Sequence, residues 1–549
     1  MMDLRSPRTI FQSIAGLPVE KRRGMLATKA VRILKLAIVV LIGQFVSPIQ
    51  AQTFGLASKP PAKVESHEAR IKRVEHGIEP LEFKKGEAPL ALDLTQIMQL
   101  AKDPGLSVAV IDGFKIVWTK AYGFTEPAGT KLVTTKTLFQ AASISKPVTA
   151  MGMLALVQQG KLSLDEDVNA KLKTWKIPEN EFTREQKVTL RRLASHTAGL
   201  TVHGFPGYAV NEKLPTLVQI FNGEKPANTP PIRVEIVPGT KEQYSGGGVL
   251  VEQQAMMDVT GKPFATLMKQ LVLDRISMKD STYEQPLPPA WAARAATGTS
   301  TDGKAVRGRW HVYPEMAAAG LWTTPTDLAK FAIEIALSKH GRSNEVLSQR
   351  IVQEMVTAQP NTDDSGIGFG LPTQQPGVFA HNGANEGFRA LLAMNADTGQ
   401  GIAVMANSDN GILVAEEIRR SVAKEYAWKY PGEARWVGDQ LTLIAQLKGA
   451  DVALARFDEL KADGKRPGEE ALNQVGYRML KGKIADAIKI FSKNLREYPQ
   501  SANAYDSLGD AYVAAGDNDI AIENYKKALK MDPANERANE ELKKLEGQR

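Results

Sequence analysis

"LFQAASISKPVTAMGMLALVQQGKLSLDEDV", residues 138–168, sets Ser143 three positions ahead of Lys146 at the mouth of an apolar run with helical periodicity. Three residues apart on a helix, two side chains share one face, so the hydroxyl and the amine come within reach of each other. A helix that begins at or near the serine also turns free backbone N–H groups and the positive end of its dipole toward an oxyanion formed there. The pattern is that of an activated nucleophile. The spacing alone is weak, because "SVAK", residues 421–424, repeats it inside the polar stretch "EEIRRSVAKEYAW". There a solvated helix face is the natural expectation.

Outward from this stretch, "LSVAVI" and "FKIVWTKAYGF" flank Asp112-Gly113, the strongest short hairpin signal. A second pair, "FRALLAMN" and "IAVMANS", flanks "ADTGQG" and reads the same way. Strands at both ends with mostly helices between predict an α+β body over 91–430 whose terminal hairpins share one antiparallel sheet flanked by helices. The long insertion then makes a helical lobe, and a site in the crevice between lobe and sheet fits the usual placement of pockets.

The 549 residues hold more than one domain, with 43% hydrophobic and 24% charged residues as in an ordinary globular chain. Of the formal charge of +8, residues 1–51 carry +6, eight Lys/Arg against Asp3 and Glu20. The remaining +2 makes no case for a nucleic-acid partner. That basic segment reads as an export signal, with Lys29, Arg32 and Lys35 before the 11-residue run "LAIVVLIGQFV" and a cleavage site at Ala51. A start at Met25 gives it ordinary length; only an uncleaved signal would tie the chain to a membrane. The expected location is periplasmic or secreted. Residues 52–90 follow as a linker and lead-in.

With no cysteine there is neither disulfide nor thiolate chemistry. None of the seven histidines falls into HExxH, "HEARIKRVEH" reads as a solvated helix, and neither metal nor cofactor is expected. From Asp451 amphipathic helix pairs take over. Ala487, Phe491 and Pro499 recur 34 residues later as Ala521, Tyr525 and Pro533, the tetratricopeptide period, with Tyr505, Leu508, Gly509 and Tyr512 completing a helix. Residues 431–467 read as a helical linker, and 468–549 as repeats ending in a capping helix. Because about three repeats are needed to bury a continuous core, "ADVALARFDELKADG" packs as a preceding helix or the array docks on the body. The repeats are then a stabilising appendage or a surface for a peptide or protein partner.

After the serine the elements "SHTAGL", "PGTKEQYSGGG", "AAAGLWTTPTDLAKF" and "FAHNGANEGF" follow in order, at 195–200, 238–248, 317–331 and 379–388. In this set the chain resembles the serine hydrolases related to class C β-lactamases, which include DD-peptidases, D-aminopeptidases and family VIII carboxylesterases. The resemblance implies a β-lactamase/transpeptidase-like fold. It also implies Ser143 as acylated nucleophile, Lys146 as its proton-managing neighbour, Tyr244 as general base or proton shuttle, and His381-Asn382-Gly383 as the third motif on a bordering strand. Backbone N–H groups of Ser143 and Ala384 would form the oxyanion hole. A tyrosine with a pKa near 10 is a poor base until cations stabilise its phenolate, which Lys146 and His381 could do. Alternatively a neutral Lys146 takes the proton. Gly383 permits close backbone approach, and His196 is read as structural.

Two departures narrow the substrate. Gly246 stands where many relatives carry an asparagine, and His381 where many carry a lysine. Both shift the expectation from efficient β-lactamase toward ester or small-amide hydrolysis first, D-amino-acid peptides second and β-lactams third. A competing reading is a penicillin-binding-like sensor with little turnover whose repeats recruit a partner. A third makes the hydrolase body a scaffold, against which stand Ser143, Lys146, Tyr244 and His381 in family order.

Overall fold

The computed structural model describes residues 66–547 apart from 430, 431, 433 and 466. The export signal, the Met25 start and the Ala51 cleavage site lie outside the described residues. Among these, no helix is long and apolar enough to cross a membrane.

The two predicted hairpins form: β1 (Gly105–Asp112) with β2 (Lys115–Gly123), and β4 (Phe388–Asn395) with β5 (Gln400–Ala406), which with β3 (Val378–Asn385) make one antiparallel sheet in the order β2-β1-β5-β4-β3. β1 pairs β5 with Leu106 opposite Ala406, so chain-distant hairpins meet at the centre. Period-two alternation sends Ala109, Ile111, Ala403 and Met405 into one core, and Val108, Val110, Ile402 and Val404 into a second on the opposite face. With both faces covered, the central strands read as near-continuous apolar runs.

The first core holds the helical lobe. Helix α3 (Ser145–Gln158) is buried nearly all round, as its apolar composition requires. Helix α4 (Gly246–Thr260) packs beside it, capped by the Ser245 hydroxyl, which accepts from Gly248 N–H at 2.9 Å. Short helix α5 (Met316–Ala319) and helix α6 (Pro325–Lys339) complete this side.

The second core is shared with the C-terminal helices. On this face lie α1 (His67–His76), α2 (Leu94–Leu100) and α7 (Gly411–Glu425), and the same core continues into α8 (Val437–Lys448), α9 (Ala450–Ala462), α10 (Glu469–Leu480), α11 (Ile484–Glu497) and α12 (Ala502–Ala515). Leu441, Phe457, Leu472 and Phe491 are fully buried in it. Each contributes roughly 1.5–3 kcal/mol, so the array is bound to the body through a common core. Helices α13 (Asn518–Met531) and α14 (Glu536–Glu546) end the described chain.

Two expectations are corrected here. The stretch around Ser421 is not a solvated face: Ser421 is 3% exposed and its hydroxyl donates to Val74 O at 2.6 Å, because α1 lies over α7. Nor is "HEARIKRVEH" free in solvent. Its helix buries Ile71 and Val74, while Arg70 and Arg73 reach Glu425 of α7 at 3.0 and 2.7 Å.

Candidate active site

Of the residues from 138 to 156, Ser143 alone is not buried. It sits in a 3-10 turn, Ala142–Ile144, between Phe139–Gln140, a two-residue strand, and α3, with Ala142 at φ +50°. That left-handed, non-glycine position is strained and is held by its surroundings. Ala141 N–H donates to Leu321 O at 2.8 Å, Leu321 N–H donates to Ser145 Oγ at 3.0 Å, and Tyr283 OH donates to Ser145 O at 2.8 Å. The turn that carries Ser143 is thus clamped by the "AAAGL" segment.

The same segment presents carbonyls to the site. Lys146, 3% exposed, donates from Nζ to Ser143 Oγ at 2.9 Å and to Ala318 O at 2.9 Å. Ala319 O accepts from Asn385 Nδ2 at 3.0 Å, and the same amide group donates to Gln140 Oε1 at 2.8 Å, tying the end of β3 to the strand ahead of the serine. The run of small residues lets three neighbouring backbones meet there.

Lys146 Nζ also lies 5.1 Å from the centroid of the Tyr244 ring. That ring lies tilted against those of His196 at 4.3 Å and His203 at 4.8 Å, and 6.4 Å from that of His381. His196 Nδ1 accepts from Ser245 N–H at 3.3 Å, which leaves its proton on Nε2. Burial, with Lys146 nearby, pushes the His196 pKa down to about 3 and that of His381 to about 4, so both rings are neutral at pH 7. His381 Nδ1 donates to Asn382 O at 2.6 Å.

Gly383 has a local reason to be glycine. A Cβ there would stand 2.1 Å from Ala141 O and 3.2 Å from the Ala142 Cβ, so β3 runs against the turn that carries Ser143 at a distance no side chain permits. That contact brings Asn382 and Ala384 to the edge of the site. Gly246 also has a reason: its Cβ would meet His203 O and Phe205 Cε2 at 3.1 Å, so the 203–205 loop occupies the place of a longer side chain.

A cavity of about 290 Å³ opens beside these groups, lined by Tyr244, His381, Asn382, His196 and Glu242 among others. The structure therefore brings Ser143, Lys146, Tyr244, His381, Asn382 and Gly383 together around one crevice, and sets Ser421 on the opposite face of the sheet. Among the described residues no cluster of three metal-ligating His, Asp or Glu occurs.

Sequence reasoning missed several groups. Glu252 of α4 is 1% exposed beside Lys146, with Oε1 lacking a hydrogen bond, and burial raises its pKa well above the usual carboxyl range. Glu315, just before α5, is fully buried and pushed up to about 8 for the same reason. For Glu252 the available signal was a carboxylate inside a largely apolar helix. The Ala318 carbonyl carried none, since a backbone acceptor leaves no mark on composition.

The Beta-lactamase family model matches residues 94–427, and a TPR repeat model matches residues 509–542. Among relatives, the unguisins hydrolase of Aspergillus violaceofuscus is 25% identical over 428 residues, covering 68% of this chain and 71% of that protein. A beta-lactamase of Pseudomonas fluorescens is 26% identical over 291 residues, 51% of this chain and 74% of its own length. The D-alanyl-D-alanine-carboxypeptidase/endopeptidase AmpH of Escherichia coli is 24% identical over 309 residues, 53% of this chain and 76% of its own. The octameric penicillin-binding protein homologue from Pyrococcus abyssi superposes with a TM-score of 0.50 at 21% identity, over 62% of this chain and 76% of that one, a likeness of fold.

Proposed function

The chain belongs to the Beta-lactamase family and is a serine hydrolase; from that premise we propose that it is exported and cleaves an ester or small amide through an acyl-enzyme on Ser143. The observation that carries the proposal is the 2.9 Å contact between Lys146 Nζ and Ser143 Oγ, with the amine held from behind by Ala318 O. Ser143 Oγ attacks the substrate carbonyl carbon, and its proton passes to Lys146 or, across that amine, to Tyr244. The Ser143 and Ala384 N–H groups receive the oxyanion at the helix start. Collapse expels the leaving group, which takes the proton, and water then repeats the sequence on the acyl-enzyme.

Two features support an ester or small amide over a β-lactam. His381 is neutral where a permanent cation would attract a substrate carboxylate, and Gly246 offers no side-chain amide. The repeats add a surface suited to a peptide or protein partner. Rates of p-nitrophenyl butyrate and chromogenic cephalosporin hydrolysis, with Ser143→Ala and Ser421→Ala alongside, test the proposal. Ester turnover lost only in Ser143→Ala is expected. A trapped adduct without turnover would favour a sensor, and activity surviving in Ser143→Ala would refute the assignment.

A further inference from the structure

The cavity beside Tyr244 contains a charge that the reaction does not use. Glu242, two residues before Tyr244, lines it together with Tyr244, His196 and His381. Its carboxylate is fixed in place: Ser365 Oγ donates to Oε1 at 2.5 Å, and Asp363 N–H donates to Oε2 at 3.3 Å. Among the described residues no Lys or Arg pairs with it. Arg191 and Arg192, on the helix that leads to His196, are engaged elsewhere, Arg191 with Asp165 and Glu354, and Arg192 with Lys187 O and Gln186 Oε1. Asp363 and Asp364, exposed on the adjoining loop, add negative charge outside the cavity.

The other charged group at the site, Lys146, is buried at the serine end and engaged by Ser143 and Ala318. Both histidines that line the cavity are neutral at pH 7. Glu242 is thus the one carboxylate among the residues that line the cavity. Tyr244 and His381 form its wall. With Tyr244 as the group that returns the proton to the departing atom, the leaving group lies on this side.

Resting on the hydrolase reading above, we propose that Glu242 is a specificity-determining residue that selects substrates whose leaving group carries a cationic amine and rejects those whose leaving group carries a carboxylate. A fixed carboxylate in a partly desolvated pocket attracts an ammonium and repels an anion far more strongly than it would in water. Selectivity of this sign runs opposite to that of an enzyme releasing a free amino acid through its carboxylate.

Thioesters differing only in the charge of the leaving thiol test it, because the chain has no cysteine and a thiol reagent reads product alone. Acetylthiocholine, its neutral carbon isostere S-(3,3-dimethylbutyl) thioacetate and S-acetyl-3-mercaptopropionate are compared by kcat/KM. The expected order is cation over neutral by about tenfold or more and neutral over anion by a similar factor. In Glu242→Gln the cation-to-neutral ratio should fall toward one, and in the native protein it should shrink at high salt. Calorimetric binding of the cationic and neutral thioesters to Ser143→Ala supplies a readout independent of turnover. Turnover or binding without charge preference overturns the inference. Charge-selective binding without turnover by the native protein sinks the hydrolase reading and leaves the selectivity standing.

Discussion

Gly383→Ala perturbs the site by a single methyl group. Its Cβ would stand 2.1 Å from Ala141 O, where an ordinary carbon–oxygen contact is roughly 3.3–3.6 Å. Strand β3 or the turn that carries Ser143 must therefore give way by about 1.2 Å. The turn is pinned by Leu321, Ser145 and Tyr283, so the strand edge moves and takes the Ala384 N–H with it. Misplacement by about 1 Å costs on the order of 100-fold in rate, and loss of one oxyanion donor, the role proposed for the Ala384 N–H, about 100- to 1,000-fold. We predict a fall in kcat of about 100-fold, or ~2.7 kcal/mol, with a stability loss of about 1–3 kcal/mol from overpacking. Steady-state kinetics with p-nitrophenyl butyrate and urea unfolding on the same preparation measure both. A folded variant with kcat within about threefold of the native protein would refute the close approach of strand and serine as a determinant of rate.

Further predictions concern the site and the fold around it. His196 is held neutral in the fold, so its contribution to stability is full above pH 6.5 and is lost as pH falls toward its folded value of about 3. Buried Glu315, pushed up to about 8, acts in the opposite sense, so the test is the difference between native protein and His196→Phe, which should shrink by several kcal/mol between about pH 7 and pH 4 in thermal unfolding. Arg435, 4% exposed at its side chain, pairs at 2.6 Å with fully buried Glu417. Arg435→Ala should cost about 3 kcal/mol in urea unfolding while ester turnover persists. Gly246→Asn forces the 203–205 loop away from Tyr244, and should lower ester kcat about tenfold without gaining cephalosporin turnover, as parallel assays will report.

The parts legible in the sequence are those encoded by local pattern. Asp112-Gly113 and the "ADTGQG" turn mark hairpins because their backbone demands are strict, and the shared sheet follows from placing two such hairpins at the ends of a helical body. The proximity of Ser143 and Lys146 was legible because their three-residue spacing brings the two side chains together, at 2.9 Å in the structure. What stayed hidden depends on contacts distant in sequence. Ser421 looks solvated in a polar stretch, yet α1 covers it from nearly 350 positions upstream. The carbonyl of Ala318 that holds Lys146, and the Ala141 carbonyl that makes Gly383 obligatory, are backbone groups with no compositional trace. Burial raises the carboxyl pKa of Glu252 and Glu315, a change that follows from packing rather than from local pattern. The repeat period was clear, but that its core would continue into the sheet's second face rests on packing through α7 and α8.

The most direct test is acid-quenched mass spectrometry of the protein during turnover of p-nitrophenyl butyrate, with peptide mapping of the adduct. A butyryl group on the peptide that contains Ser143, absent in Ser143→Ala and retained in Ser421→Ala, is the result the acyl-enzyme account predicts. Turnover with no covalent adduct on any burst or steady-state time point, or an adduct on another residue, would contradict it.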